Sequence, residues 1–104
     1  MSIEPLRLRL KVAWFKNFLG LAIGQVNSSQ HHFLTPYYFW PKTEAWEQLK
    51  QELAFKPWLK KEEKIRILNS AAEVMNFWKI NRKTARIEDV IGIFKDVRFI
   101  KITV

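Results

Sequence analysis

The chain has 104 residues and carries 18 Lys and Arg against 10 Asp and Glu, a formal charge of +8, with five Trp, two Tyr, eight Phe and no Cys. That length fits one domain, residues 1–104, with one core and no room for a two-domain enzyme, and a hydrophobic content of 48% separates it from a disordered basic tail. The absence of cysteine excludes disulfide scaffolds, thiolate metal sites and thiol nucleophiles together.

The segment from Met1 to Leu10 lacks the continuous apolar stretch and small-residue cleavage site of a signal peptide. The most apolar window, Phe18 to Val26, is far shorter than the roughly 20 residues of a membrane span, so no membrane role is expected. From Leu6 the residues alternate: Leu6, Leu8, Leu10, Val12 and Trp14 share one face, and Arg7, Arg9, Lys11 and Ala13 the other, the period of a half-buried strand. Lys16-Asn17 then predicts a tight hairpin into a second strand, with Asn tolerating the positive φ of such turns.

Residues 27–32 read as a polar turn, and Phe33 to Pro41 as an extended, irregular crossing segment, because Pro36 and Pro41 have no N–H for a central ladder. Thr43 is placed to cap a helix that carries Trp46, Leu49 and Leu53 and stops before Pro57. A longer helix runs from Glu62 to about Ile80, with its stripe on Ile65, Leu68, Ala72, Met75 and Lys79, widened by Ala71, Val74 and Trp78. Thr84 is placed to cap a shorter third helix with Ile87, Val90, Ile91 and Phe94, and residues 97–104 are β-branched and strand-like. The expected fold is α+β: a small antiparallel sheet, an N-terminal hairpin plus a C-terminal strand, packed against two to three helices.

Catalysis lacks residues to carry it. His31 and His32 lie side by side in a polar loop, no metal, nucleophile-elbow or phosphate-loop motif is present, and the carboxylates fall in helix first turns or beside Lys. No cofactor, metal or small-molecule substrate is expected. The charge is more informative: residues 1–30 hold +3, 31–58 are neutral, 59–82 hold +3 and 83–104 hold +2. A strand would line up Arg7, Arg9 and Lys11 at roughly 6–7 Å intervals, suited to contact with a phosphate backbone. Lys60, Lys61, Arg82, Lys83 and Arg86 bracket the long helix, and Lys42 follows the crossing segment. Each cluster can equally be a solvated face, but together they point to RNA, through phosphate and shape rather than base reading.

Phe33, Tyr37, Tyr38, Phe39, Trp40, Trp46, Phe55 and Trp58 concentrate in the charge-neutral middle. Base-stacking surfaces usually interleave rings with cations, and Phe33 to Trp40 contains none, so a core role is favoured over a stacking platform, with Tyr37 or Tyr38 able to face a partner.

The stretches Phe33-Leu-Thr-Pro-Tyr-Tyr-Phe-Trp-Pro41, Ala45-Trp-Glu-Gln-Leu-Lys-Gln-Glu-Leu53, Lys56-Pro-Trp-Leu59 and Glu73-Val-Met-Asn-Phe-Trp78 resemble the plastid-specific ribosomal protein three family of chloroplast and cyanobacterial small ribosomal subunits. The resemblance covers roughly residues 8–100, with Tyr38 where the family usually has Phe and Lys42 where Arg is common. It implies a structural constituent of the small subunit that binds 16S rRNA and neighbouring ribosomal proteins, in the plastid stroma or a cyanobacterial cytoplasm. A transient RNA-binding assembly or translation-regulating factor is the alternative. In the first reading Arg7, Arg9, Lys11, Lys42, Lys60, Lys61, Arg82, Lys83 and Arg86 contact RNA, while Tyr37, Tyr38, Phe39, Trp40, Trp46 and Trp58 form core or protein-docking surface.

Overall fold

The structure, a computed structural model, describes residues 7–26 and 31–100. The alternating N-terminal segment forms β1 (Arg7–Trp14), paired antiparallel along its whole length with β2 (Leu19–Val26). The turn between them uses four residues, closed by the Phe15 N–H donating to the Phe18 carbonyl. No described residue has a positive φ, so the hairpin does not use the left-handed conformation expected of Asn17. A longer loop lets the strands reverse without it.

The crossing segment is more regular than its prolines suggest. His31 and His32, expected in a polar loop, instead open β3 (His31–Phe33), because the edge of β2 left free by β1 pairs with them; β4 (Tyr38–Trp40) follows on the same edge, and both run antiparallel to β2. Between them, buried Thr35 ties the bend to the middle of β2: the Leu34 and Thr35 N–H groups donate to the Ile23 carbonyl, and the Ile23 N–H donates to Thr35 Oγ1 at 2.9 Å. Pro36 therefore sits in the bend between β3 and β4, where no ladder N–H is required of it.

Three helices follow: α1 (Ala45–Ala54), α2 (Lys61–Asn81) and α3 (Ile87–Ile93). Neither expected threonine caps a helix. Thr43 Oγ1 donates to the Phe39 carbonyl at 2.8 Å, and the residues at the N-cap positions of α1 and α3 are Glu44 and Arg86. The buried stripe of α2 is Ile67, Ala71, Val74 and Trp78, turned away from the expected centre on Ile65, which is exposed. The cause is the company α2 keeps: it packs against both the sheet and α1, so Leu68 and Met75 become flanks half-buried against the core.

β5 (Arg98–Ile100) completes a five-stranded sheet, placing its residues beside Lys11, Val12 and Ala13. The class is α+β as expected, but β5 runs parallel to β1, so the sheet is mixed rather than antiparallel. A parallel neighbour needs a crossover connection, and the helices between β4 and β5 supply it. Leu6, the expected start of the first strand, most of the 27–32 turn and residues 101–104 lie outside the described residues.

The core lies on one face of the sheet, where Leu8, Leu10, Val12, Leu19, Leu21 and Ile23 meet Leu49, Leu53, Ile67, Val74 and Trp78 of the helices. A side-chain clip fixes α2 to the start of β1. The Leu8 N–H donates to Glu63 Oε2 at 3.1 Å, Arg66 Nη2 donates to the Leu8 carbonyl at 2.6 Å, and the two side chains pair at 2.7 Å. The Arg66 hydrogen bond, reinforced by the Leu8 N–H, holds the Glu63 carboxyl below its ordinary range. A carboxyl depressed by folding adds stability at neutral pH that disappears as pH falls through the folded value. Glu63→Gln should therefore melt below the parent at pH 7, with the gap closing below about pH 4. Melting curves across pH check this, and a gap constant from pH 7 to pH 3 would contradict it.

Candidate nucleic-acid interface

Strand alternation splits the aromatic segment in two. Tyr38 lies opposite Leu21 and Trp40 opposite Leu19, so both face the helices. Tyr38 donates to Glu52 Oε1 at 3.1 Å, and Trp40 meets Trp78 edge-on at 5.4 Å. Trp46 is also half-buried, its Nε1 donating to the Leu68 carbonyl at 2.9 Å and joining α1 to α2.

Phe39 lies opposite Gly20 and Phe33 opposite Gly24, on the other face of the sheet. Tyr37 bridges them, with centroids 5.8 Å from Phe33 and 6.4 Å from Phe39. Phe39 then meets Phe18 at 5.7 Å, and Phe18 stacks on Phe15 at 4.2 Å. Five rings thus form a continuous row over the outer sheet face. The floor beneath is built of small residues, Gly20, Ala22 and Gly24, which alternate along β2 with the core residues Leu19, Leu21 and Ile23. A Cβ at Gly20 would lie 2.9 Å from Phe39 Cε1, so the row requires its absence.

The expected cations are distributed unevenly over this framework. Lys42 is exposed and, with Asn17, Phe18, Phe39 and Pro41, lines an open groove of about 640 Å³ at one end of the row. Arg7 reaches Asp96 at 3.6 Å, and Arg9 Nε donates to the Asp96 carbonyl at 3.3 Å. Lys60 and Lys61 are exposed where α2 begins, separated only by buried Leu59 from Trp58, itself 62% exposed and so outside the core. Lys83 and Arg86 are exposed in the turn after α2, whereas Arg82 lies over Trp78 at 5.3 Å and donates to the Lys16 carbonyl.

Lys11 departs from the expected solvent-facing row. It is 6% exposed, with its Nζ 3.8 Å from the centre of the Phe33 ring. The ring arrives from β3 through its pairing with β2 and carries the Lys11 ammonium on one face. Burial, then the nearby Arg98 and Arg9, lowers the Lys11 pKa. A base depressed by folding weakens the folded state at neutral pH, and that loss recovers as pH rises toward the ordinary lysine value. Lys11→Met keeps the stem and removes the buried charge, so it should leave the melting temperature unchanged or raise it. A clear drop would show that the contact with Phe33 outweighs desolvation.

Arg98 was missing from the candidate residues because only the parallel pairing with β1 brings it beside Lys11. Phe33, Phe18 and Phe15 were missed as exposed-face residues, although the alternation of small and large residues along β2 is a legible sign of a face needing large side chains from elsewhere.

The framework is thus a helix-backed sheet whose other face carries rings and cations, an architecture fit for binding rather than catalysis. The family model for "Plastid and cyanobacterial ribosomal protein (PSRP-3 / Ycf65)" matches residues 34–81. A probable small ribosomal subunit protein cS23 from Synechococcus sp. (strain JA-3-3Ab) is 38% identical over 91 residues, spanning 88% of this chain and 92% of that protein. Small ribosomal subunit protein cS23 of Gracilaria tenuistipitata var. liui is 36% identical, over 90% of this chain and 95% of its own length. For cS23z of Arabidopsis thaliana the identity is 40%, over 72% of this chain and 46% of the longer plant protein. The chain belongs to the PSRP-3/Ycf65 family of plastid and cyanobacterial ribosomal proteins, a family of ribosomal structural proteins and not of enzymes.

Proposed function

We propose that this chain acts as one domain, a structural constituent of the small ribosomal subunit in a plastid stroma or a cyanobacterial cytoplasm, where it binds 16S rRNA and neighbouring small-subunit proteins. The observation that carries this reading is its match, over nearly the whole length of both chains, to proteins named for the small subunit. The placement of charge supports it: Lys42, Lys60, Lys61, Lys83 and Arg86 are exposed around the molecule, with Arg7 and Arg9 at the start of β1. These are the phosphate contacts. Arg82 and Lys11 serve mainly to hold Trp78 and Phe33. Exposed Trp58 and Phe55 at the corner between α1 and α2 form the protein-docking surface, because two large rings left in water at one corner suit a packed neighbour.

The chain should co-sediment with small subunits at low salt and be released as salt rises. Changing Lys60 and Lys61 together to Ala should weaken that association and make it less salt-sensitive, without moving the melting temperature. Persistence of the purified chain in the soluble fraction at every salt concentration would overturn the reading.

A further inference from the structure

We propose that the outer sheet face is a stacking site for unpaired RNA nucleotides, with Phe33 and Phe39 as base platforms and Arg98 and Lys42 as the phosphate contacts beside them. The proposal deepens the reading of the chain as an rRNA-binding protein and rests on it.

The first support is the construction of the face. Phe33 is 58% and Phe39 38% exposed, although each is anchored at its base opposite a glycine of β2. Tyr37 between them fixes the spacing, so the rings are presented in a row rather than collapsed into a cluster. Aromatic rings held in this way on a sheet offer π-faces to bases of any identity.

Charge complementarity selects the occupant. Arg98 is exposed on the same face as Lys11, its partner in the β1–β5 register, and Lys42 lines the groove at the Phe39 end. None of the five strands contains Asp or Glu. Asp96, in the turn before β5, has its carboxylate paired with Arg7 at 3.6 Å, while its backbone carbonyl accepts from Arg9. An apolar protein segment would gain nothing from this cationic border, whereas an unpaired nucleotide offers a stacking face and an anion together. The rings and cations were separate in sequence because Phe33 to Trp40 has no basic residue; the sheet supplies the cations from β5 and from the turn after β4.

The test uses the full chain and an unstructured RNA of about 12 nucleotides, compared with a duplex of the same sequence. Labelled-RNA anisotropy should show tighter binding of the single strand. Phe33→Ala and Phe39→Ala should each weaken it about tenfold without lowering its salt slope, and Phe33→Trp should restore it. Arg98→Ala should instead reduce the slope by about one. Equal single-strand binding by the parent and Phe33→Ala would overturn the proposal; Phe33 is exposed enough that this variant remains folded even if Phe39→Ala does not. Co-sedimentation with small subunits separates the two levels. If Phe33→Ala loses subunit binding but not single-strand binding, the occupant is a protein and the stacking proposal fails. If the parent chain binds single strands through Phe33 yet never sediments with subunits, the ribosomal reading fails and the stacking site stands.

Discussion

Trp78→Ala should cost the fold about 3–5 kcal/mol, a large fraction of the stability of a domain this size. Trp78 is 4% exposed and joins three parts of the molecule. Its indole Nε1 donates to the Phe15 carbonyl at 2.7 Å, in the β1–β2 turn. Its ring meets Trp40 of β4 and carries the Arg82 guanidinium on its face. Truncation opens a cavity between sheet and helix and also leaves a turn carbonyl without its donor. Trp78→Phe keeps much of the ring and loses the N–H, so it should cost less. Urea unfolding of both variants checks the order; a loss below about 0.5 kcal/mol for Trp78→Ala would place the ring outside the core.

The other large effect is on binding. Raising salt from about 50 to about 200 mM should weaken association with the small subunit roughly a thousandfold if six phosphates are contacted. The exposed Lys42, Lys60, Lys61, Lys83, Arg86 and Arg98 are sufficient for that number. The variants should divide by burial rather than by residue type. Removing any of these exposed cations should lower the slope of log affinity against log salt by about one, and Lys11→Met should leave it unchanged. A slope near zero for the parent chain would contradict a phosphate-dominated interface.

The hairpin, the helices and the α+β class were legible because they are local patterns: the alternation from Arg7 to Trp14, the break at Pro57, the apolar spacing after Glu62. The direction of β5 was not, because residues 98–100 read alike in either orientation and only the crossover decides. The phase of α2 was also hidden: Ile65, Ile67 and Leu68 are all apolar, and contact with two surfaces picks Ile67 for the centre.

The site was partly legible. Lys60, Lys61, Lys83 and Arg86 are exposed, as a reading from charge expects of them. Lys11 was misplaced because the ring that covers it lies in a different strand, and no local pattern predicts that contact. The aromatic run held a readable clue. Tyr37-Tyr38-Phe39-Trp40, once a strand, must divide its rings between two faces, which makes core and surface roles alternate within four residues.

The most direct measurement is the copy number of this chain on salt-washed mature small subunits, by quantitative mass spectrometry of the purified particle. A structural constituent gives close to one copy per subunit, retained in actively translating ribosomes. A value far below one, or recovery only on immature particles, would contradict that role and identify a transient factor instead.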